Sequence, residues 1–186
     1  MNWGDTIEEK GRIVERELFS KTLCIKNPNL KEEDFYYHPY ERNPTWDCRV
    51  FRNYFQPKCG VPDAMNQAST IQVHQIINYQ GFAKNLPTTK GFYICLFPLD
   101  DIKLDPYFRN KILHHVGRLY VLNKNDLLHN IPWQELKIKN DQKGKRYIIP
   151  LKYFKIVYED LDKIFPEIYN DLSKLGASNY QKKVAS

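Results

Sequence analysis

Asp63-Ala64-Met65-Asn66-Gln67-Ala68-Ser69-Thr70-Ile71-Gln72-Val73-His74-Gln75-Ile76-Ile77-Asn78-Tyr79-Gln80-Gly81-Phe82-Ala83-Lys84-Asn85-Leu86 decides how the rest of the chain is read. Asp63 can cap a helix running to Leu86, which Pro87 would stop. The same residues set Ile71, Val73, Ile77 and Tyr79 on one alternating phase, with several β-branched side chains, as in a strand over 70–79. We read 63–86 as a helix and keep the strand as the alternative.

Working upstream, Trp46, Cys48 and Val50 alternate with Asp47, Arg49 and Phe51, which predicts a strand over 46–52. Phe35-Tyr36-Tyr37 predicts a shorter one, and Asn43-Pro44 a turn between them. Thr6-Ile7-Glu8-Glu9 is a capping box, and Ile7, Val14 and Leu18 then recur at helical spacing, which predicts a helix over 6–22. Downstream, Gly91 to Phe97 is a continuous apolar run bounded by Gly and Pro, the pattern of a central strand buried on both faces. A helix over 106–116, a strand over 118–122 and a hairpin between Leu136 and Ile149 follow. Leu161, Ile164, Phe165, Ile168, Leu172 and Leu175 make a helical stripe ended by Gly176. The expected class is α/β (α+β), a central mixed sheet flanked by helices. At 186 residues one core is expected, a single domain over 1–176 with a tail over 177–186.

The first residues, Met1-Asn2-Trp3-Gly4-Asp5, lack a basic region leading into an apolar one, and no apolar run is long enough to span a bilayer. The expectation is a soluble cytoplasmic protein with no membrane partner. Cys24, Cys48, Cys59 and Cys95 contain no C-x-x-C pair, which favours reduced, buried thiols over a zinc site. No P-loop, dinucleotide fingerprint, nucleophile elbow or H-E-x-x-H is present. That removes the usual routes to nucleotide hydrolysis, dinucleotide redox chemistry and zinc proteolysis.

Charge points to a partner. Lys and Arg total 28 against 22 Asp and Glu; residues 1–60 hold ten of each, which leaves eighteen against twelve in residues 61–186. The excess is densest in the hairpin, where Lys137, Lys139, Lys143, Lys145 and Arg146, followed by Lys152 and Lys155, face Asp141 alone. Alternation would turn Lys137 and Lys139 outward and pack Leu136 and Ile138 inward, and such a face can neutralise phosphates. A lysine-decorated edge that discourages sheet-to-sheet aggregation is the competing explanation.

The predicted order, one helix, short strands, a helix and a buried strand, resembles the αβββαβ core of the restriction-endonuclease-like, or PD-(D/E)XK, nuclease superfamily over roughly residues 6–150. The Tyr-rich strand, Trp and Gly-Lys-Arg hairpin are similar to its resolvase and phage-nuclease members. The resemblance implies an acid on one strand and a D/E-x-K on the next, together holding Mg²⁺, because the metal must stabilise charge on both the attacking water and the phosphate. Two registers fit. In one, Asp47-Cys48-Arg49 takes the D/E-x-K place, with Arg for Lys and Asp34 as the upstream acid. In the other, Asp47 or the Asp63 of Pro62-Asp63 is upstream, and Gln72-Val73-His74 takes that place, with His74 as the base. Glu15 on the first helix, or its neighbour Glu17, would add a metal carboxylate.

The expected function is thus a metal-dependent DNA endonuclease or resolvase-like phosphodiesterase, with a homodimer as one permitted assembly. Its catalytic residues would be Asp47, Arg49 and His74, its metal ligands Glu15, Asp34 and Asp47, and its DNA contacts the hairpin lysines with Arg146. The alternative is a binding-only module of phage or mobile-element type, since an Arg in the Lys position stays protonated and cannot serve as a base. His114, His115, Asn123, Asn125, His129 and Asn130 are superficially similar to a His-Asn-His nuclease set, but a strand follows His115 where that fold has a loop and helix.

Overall fold

The computed structural model describes residues 31–38, 45–60, 68–98, 102–104, 113–116 and 119–157. The predicted helix at 6–22, the stripe at 161–176 and the tail lie outside these residues, as do Glu15, Glu17 and Asp63.

The deciding stretch divides in two. Ala68–Gln72 is a strand, β4, and Val73–Asn85 is a helix, α1. The alternating set did not mark this strand: of Ile71, Val73, Ile77 and Tyr79 only Ile71 lies on it, and the other three belong to the helix. Ser69, Thr70 and Ile71 extend because β4 has a partner strand, β10 (Gly144–Pro150), in register from Arg146↔Gln72 to Pro150↔Ala68. From Val73 on, the apolar residues fall at helical spacing, and Ile76, Tyr79 and Ala83 form the buried face. The helix stops where expected. Pro87 disfavours helical geometry at Leu86, whose backbone is extended at φ −73°, ψ 137°.

The expected single strand over 46–52 is instead the first arm of a hairpin. Cys48–Val50 forms β2, Phe51 and Arg52 turn, and Asn53–Gly60 returns as β3. Phe51 takes a left-handed φ of 51°, a conformation that costs a non-glycine residue about 1–2 kcal/mol. Nothing in its chemistry announces such a turn. Phe35–Tyr37 is the expected short strand, β1, antiparallel to β2.

Gly91–Pro98 forms β5, parallel to β3 and antiparallel to β8 (Leu119–Asn123), so it is central as expected. Phe92, Tyr93, Ile94, Cys95 and Leu96 are all buried. With β11 (Lys155–Val157) the main sheet runs β1-β2-β3-β5-β8-β11. Asn53 is buried against Gly91, where a Cβ would collide with the Asn53 side-chain oxygen and the Tyr93 ring, so the close approach suits glycine. One face of the main sheet packs on α1, with Phe82 and Tyr79 against Phe92, and Ile94, Leu122, Ile149 and Phe154 join the same core. Completely burying side chains of this size contributes about 1.5–3 kcal/mol each.

A second sheet, β4-β10-β9, adds Ile138–Asp141 as β9, and Ile102–Leu104 (β6) pairs with Leu113–Val116 (β7). The latter corrects the last residues of the helix expected over 106–116: 113–116, with His114 and His115, are a strand, and 106–112 lie outside the described residues. The expected mixed α+β class with a central mixed sheet is what the chain adopts.

Candidate active site

Strand pairing places Asp47, immediately before β2, across from Gln56 on β3. The Gln56 amide nitrogen donates to Asp47 Oδ2 at 2.6 Å, and the Phe55 carbonyl accepts from the Asp47 backbone N–H at 2.9 Å. Gln56 is 2% exposed, and its other amide atom, Oε1, has no hydrogen-bond partner among the described residues. A buried acceptor in this state costs about 1–3 kcal/mol unless a donor or a cation reaches it. Lys58, two residues on, projects from the same face of β3, with Nζ 5.8 Å from the Tyr79 ring centroid. Carboxylate, amide oxygen and ammonium therefore share one face beside α1.

Pro57 lies between Gln56 and Lys58, and a proline inside a strand argues against a strand in sequence reading. The conflict resolves locally. Antiparallel pairing of β3 with β2 ends at Cys48↔Phe55, so Pro57 sits past the end of that ladder while β5 continues to flank it. Its carbonyl oxygen lies 3.4 Å from Gln56 Nε2.

The sequence-predicted residues are distributed otherwise. In the first register, Phe35↔Val50 and Tyr37↔Cys48 pairing puts Asp34 and Asp47 at opposite ends of the β1–β2 ladder, about 13 Å apart at about 3.3 Å per residue. Asp34 accepts the Lys31 N–H at 2.9 Å and caps a short 3-10 turn. Arg49 shares the face of Asp47, with its guanidinium 5.3 Å from the Tyr36 ring centroid. In the second register, the strand ends at Gln72, so Gln72 and His74 no longer share a strand face; His74 is exposed in the first turn of α1. Gln72 instead donates to the Lys143 carbonyl at 3.1 Å and ties helix start to hairpin.

Gln56 and Lys58 are the residues that sequence reasoning passed over. A literal Gln-x-Lys nine residues after Asp47 was the available signal, hidden by Pro57 and by the unmarked Phe51–Arg52 turn.

In the hairpin, Lys137, Lys139, Lys143 and Lys145 are exposed, whereas Arg146 is ion-paired with Asp141 at 2.7 Å. Ile138 is 49% exposed, not packed inward as alternation suggested, because β9 is an edge strand that pairs, among the described strands, with β10 alone. Gly144, at φ 108°, closes the turn, where the Lys143 N–H donates to Asp141 Oδ1 at 2.8 Å. Of the His-Asn-His set, Asn123 and Asn130 bind Asp126: Asn123 Oδ1 accepts its N–H and Asn130 Nδ2 donates to its carboxylate, both at 2.8 Å. That is a cap on a turn.

The hairpin is tied to the start of α1, whereas the Asp47–Gln56 rung lies level with its middle, between Tyr54 against Phe82 and Lys58 against Tyr79. Parallel β3 and β5 require α1 to run back antiparallel to both, so α1 starts at the far ends of these strands, past the level of Lys58. Gln72 and Lys143 are joined at that helix start.

No family model matches the chain, and no curated protein matches it. Among solved structures, a nuclease from a fusselovirus is similar over 92% of this chain and 96% of its own, at 14% identity and a TM-score of 0.46. That likeness is too distant to carry an activity across. No helix among the described residues is long and apolar enough to cross a membrane.

Two thiols lie on the opposite face of the same sheet. Burial pushes Cys48 well above the usual thiol range, with Cys95 and Asp47 adding to it, and burial alone pushes Cys95 up. Neither is a candidate nucleophile, since the thiolate is the reactive form.

Proposed function

We propose that the chain is a metal-dependent nuclease of restriction-endonuclease-like type, with Asp47, Gln56 and Lys58 as its working residues. The observation that carries this is the Asp47–Gln56 contact at 2.6 Å beside the unpartnered, buried Gln56 Oε1. Asp47 keeps the role of upstream acid, and Gln56-Pro57-Lys58 replaces Gln72-Val73-His74 as the second element, with Gln in the acid position.

The donor set suits Mg²⁺, which is held through oxygen by one or two carboxylates and retains waters and substrate phosphate as further ligands. Asp47 and Gln56 Oε1 would hold it. Among the described residues no group of three or more His, Cys, Asp or Glu side chains forms a cluster, so the rest of its shell falls to water and substrate. When bound it supplies Lewis acidity at the phosphoryl oxygen and a more acidic water. The chain's own part is positional. Gln56 holds the Asp47 carboxylate through its amide N–H, and Lys58 places an ammonium where negative charge develops on the phosphate or where the attacking water must be oriented. The exposed hairpin lysines hold the flanking backbone.

Incubating the protein with supercoiled plasmid and Mg²⁺ or Mn²⁺ tests this: nicking is expected, lost in Asp47→Asn and on chelation. Activity that persists in Asp47→Asn would sink it. A binding-only module is the second reading, favoured by Gln standing where an acid is usual; it expects metal-independent binding that survives Asp47→Ala and weakens when Lys137, Lys139 and Lys145 are neutralised.

A further inference from the structure

Beside the Asp47–Gln56 rung, on the same face of the sheet, lies a row of aromatic rings for which the nuclease reading has no use. Tyr36, Arg49 and Tyr54 stand opposite one another across β1, β2 and β3. This rung is two residues from Asp47 and Gln56, about 6–7 Å along the strands. Trp46 bridges the rungs, 5.1 Å from Tyr54, 6.2 Å from Tyr36 and 4.6 Å from His38 between ring centroids. Tyr54 continues inward to Phe82 of α1. The inner end of the row is thus anchored in the core, and the outer end is open.

Tyr36 at that outer end is 51% exposed although Arg49 and Trp46 already lie against it. Among the described strands β1 is at the edge of the main sheet, so about half of the Tyr36 surface faces solvent there. A ring held stiffly by a guanidinium and an indole, with its remaining surface open, is a stacking platform. The guanidinium beside it adds positive charge for a phosphate. Stacked rings and a cation together are the means by which proteins hold unpaired nucleobases, because every base has a π face. A paired base inside a duplex offers no such face to a side chain.

We propose that Tyr36, supported by Trp46 and Arg49, stacks an unpaired base of a nucleic-acid strand whose neighbouring phosphate lies at Asp47. The substrate class is accordingly single-stranded nucleic acid, or a duplex with unpaired nucleotides at the scission point. This rests on the nuclease reading for the role of Asp47, but base stacking itself does not need cleavage.

The test separates the two. Fluorescence anisotropy of the full chain, without metal, is read on a labelled oligothymidylate and on a blunt duplex of equal length. Wild type is expected to prefer the single strand. Tyr36→Ala is expected to weaken single-strand binding by about fivefold or more, Tyr36→Phe to retain it, and duplex binding to change less than about twofold. Circular dichroism of Tyr36→Ala checks that the fold is kept, and Arg49→Gln gives an independent loss at the same site. Equal loss on both oligonucleotides, no loss on either, or no salt-sensitive binding by wild type overturns the proposal. Tyr36-dependent single-strand binding without any Mg²⁺-dependent cleavage leaves the platform standing and removes the nuclease; cleavage that Tyr36→Ala leaves untouched does the reverse.

Discussion

The Asp47–Gln56 rung and the Asp141–Arg146 hairpin each set a carboxylate against a nitrogen donor across paired strands, yet they are built for different tasks. In the first, Gln56 is buried, and one of its polar atoms has no partner among the described residues. In the second, Asp141 and Arg146 form a 2.7 Å ion pair with side chains 32% and 23% exposed, and lysines point to water on both sides. Charge is worth more in the enclosed place, because fewer water dipoles screen it, and leaving it unpaired costs more. The open place offers long-range attraction, weakened by salt, and little geometric demand. Under the proposed function the rung is the place for chemistry and the hairpin the place for capture.

The largest expected effect separates these roles directly. Lys58→Ala should lower the rate of Mg²⁺-dependent cleavage at saturating substrate by about 10²–10⁴-fold, while Lys139→Ala should leave that rate within about threefold. Single-turnover kinetics on a labelled oligonucleotide decides it. Comparable loss in both variants would erase the division of labour.

Next in size, replacing Lys137, Lys139, Lys143 and Lys145 together by Gln should weaken nucleic-acid binding by on the order of tenfold or more and flatten the dependence of log K on log salt by about 0.9 for each phosphate that is no longer neutralised. The cleavage rate at saturation should hold. If affinity and salt slope are unchanged, the lysines serve only to protect an edge strand.

Gln56→Glu addresses the rung itself. A carboxylate there forgoes the 2.6 Å N–H donation to Asp47 and sets two negative groups together. Metal-free stability should fall by about 1–3 kcal/mol. Millimolar Mg²⁺ should restore it, since the pair is then a better cation site than the native one. Denaturant melts with and without Mg²⁺ measure this; a variant indifferent to Mg²⁺ would argue that Gln56 is a buried structural amide and nothing more.

The central strand was legible because Phe92 to Leu96 is apolar on both phases, and the stop at Leu86 because Pro87 acts through local sterics. The basic hairpin was legible for the same reason, Gly144 and Asp141 being turn chemistry. What escaped depended on partners distant in sequence. Ala68–Gln72 is a strand because β10, more than seventy residues later, pairs with it; periodicity over 63–86 holds no trace of that. The strain of the Phe51 turn is offset by the sheet on either side. Asp47 was visible as an acid on a strand, but its partner was sought at Arg49 and His74, since without the turn Gln56 had no reason to face it.

The smallest effect concerns the thiols behind the rung, and its sign follows from burial. Cys48 and Cys95 have folded pKa values raised above the unfolded ones. In the unfolded chain they ionise near an ordinary value of about 8.5. Below that pH neither state carries charge there and the thiols impose no penalty; above it the unfolded state is favoured, so stability falls as pH rises. One unit above the unfolded value the loss is about 1.4 kcal/mol for each thiol. Urea melts from about pH 7.5 to about pH 9.5, a window that brackets the unfolded value, should show the decline, and Cys95→Ala should make it shallower after allowing for the diminished packing. The hairpin carries no thiol, so its lysine-dependent binding should not follow the thiol titration while the sheet beneath the rung loosens. Binding and stability declining together through that window would mean that the two regions are coupled, and that the enclosed rung and the open hairpin work as one surface.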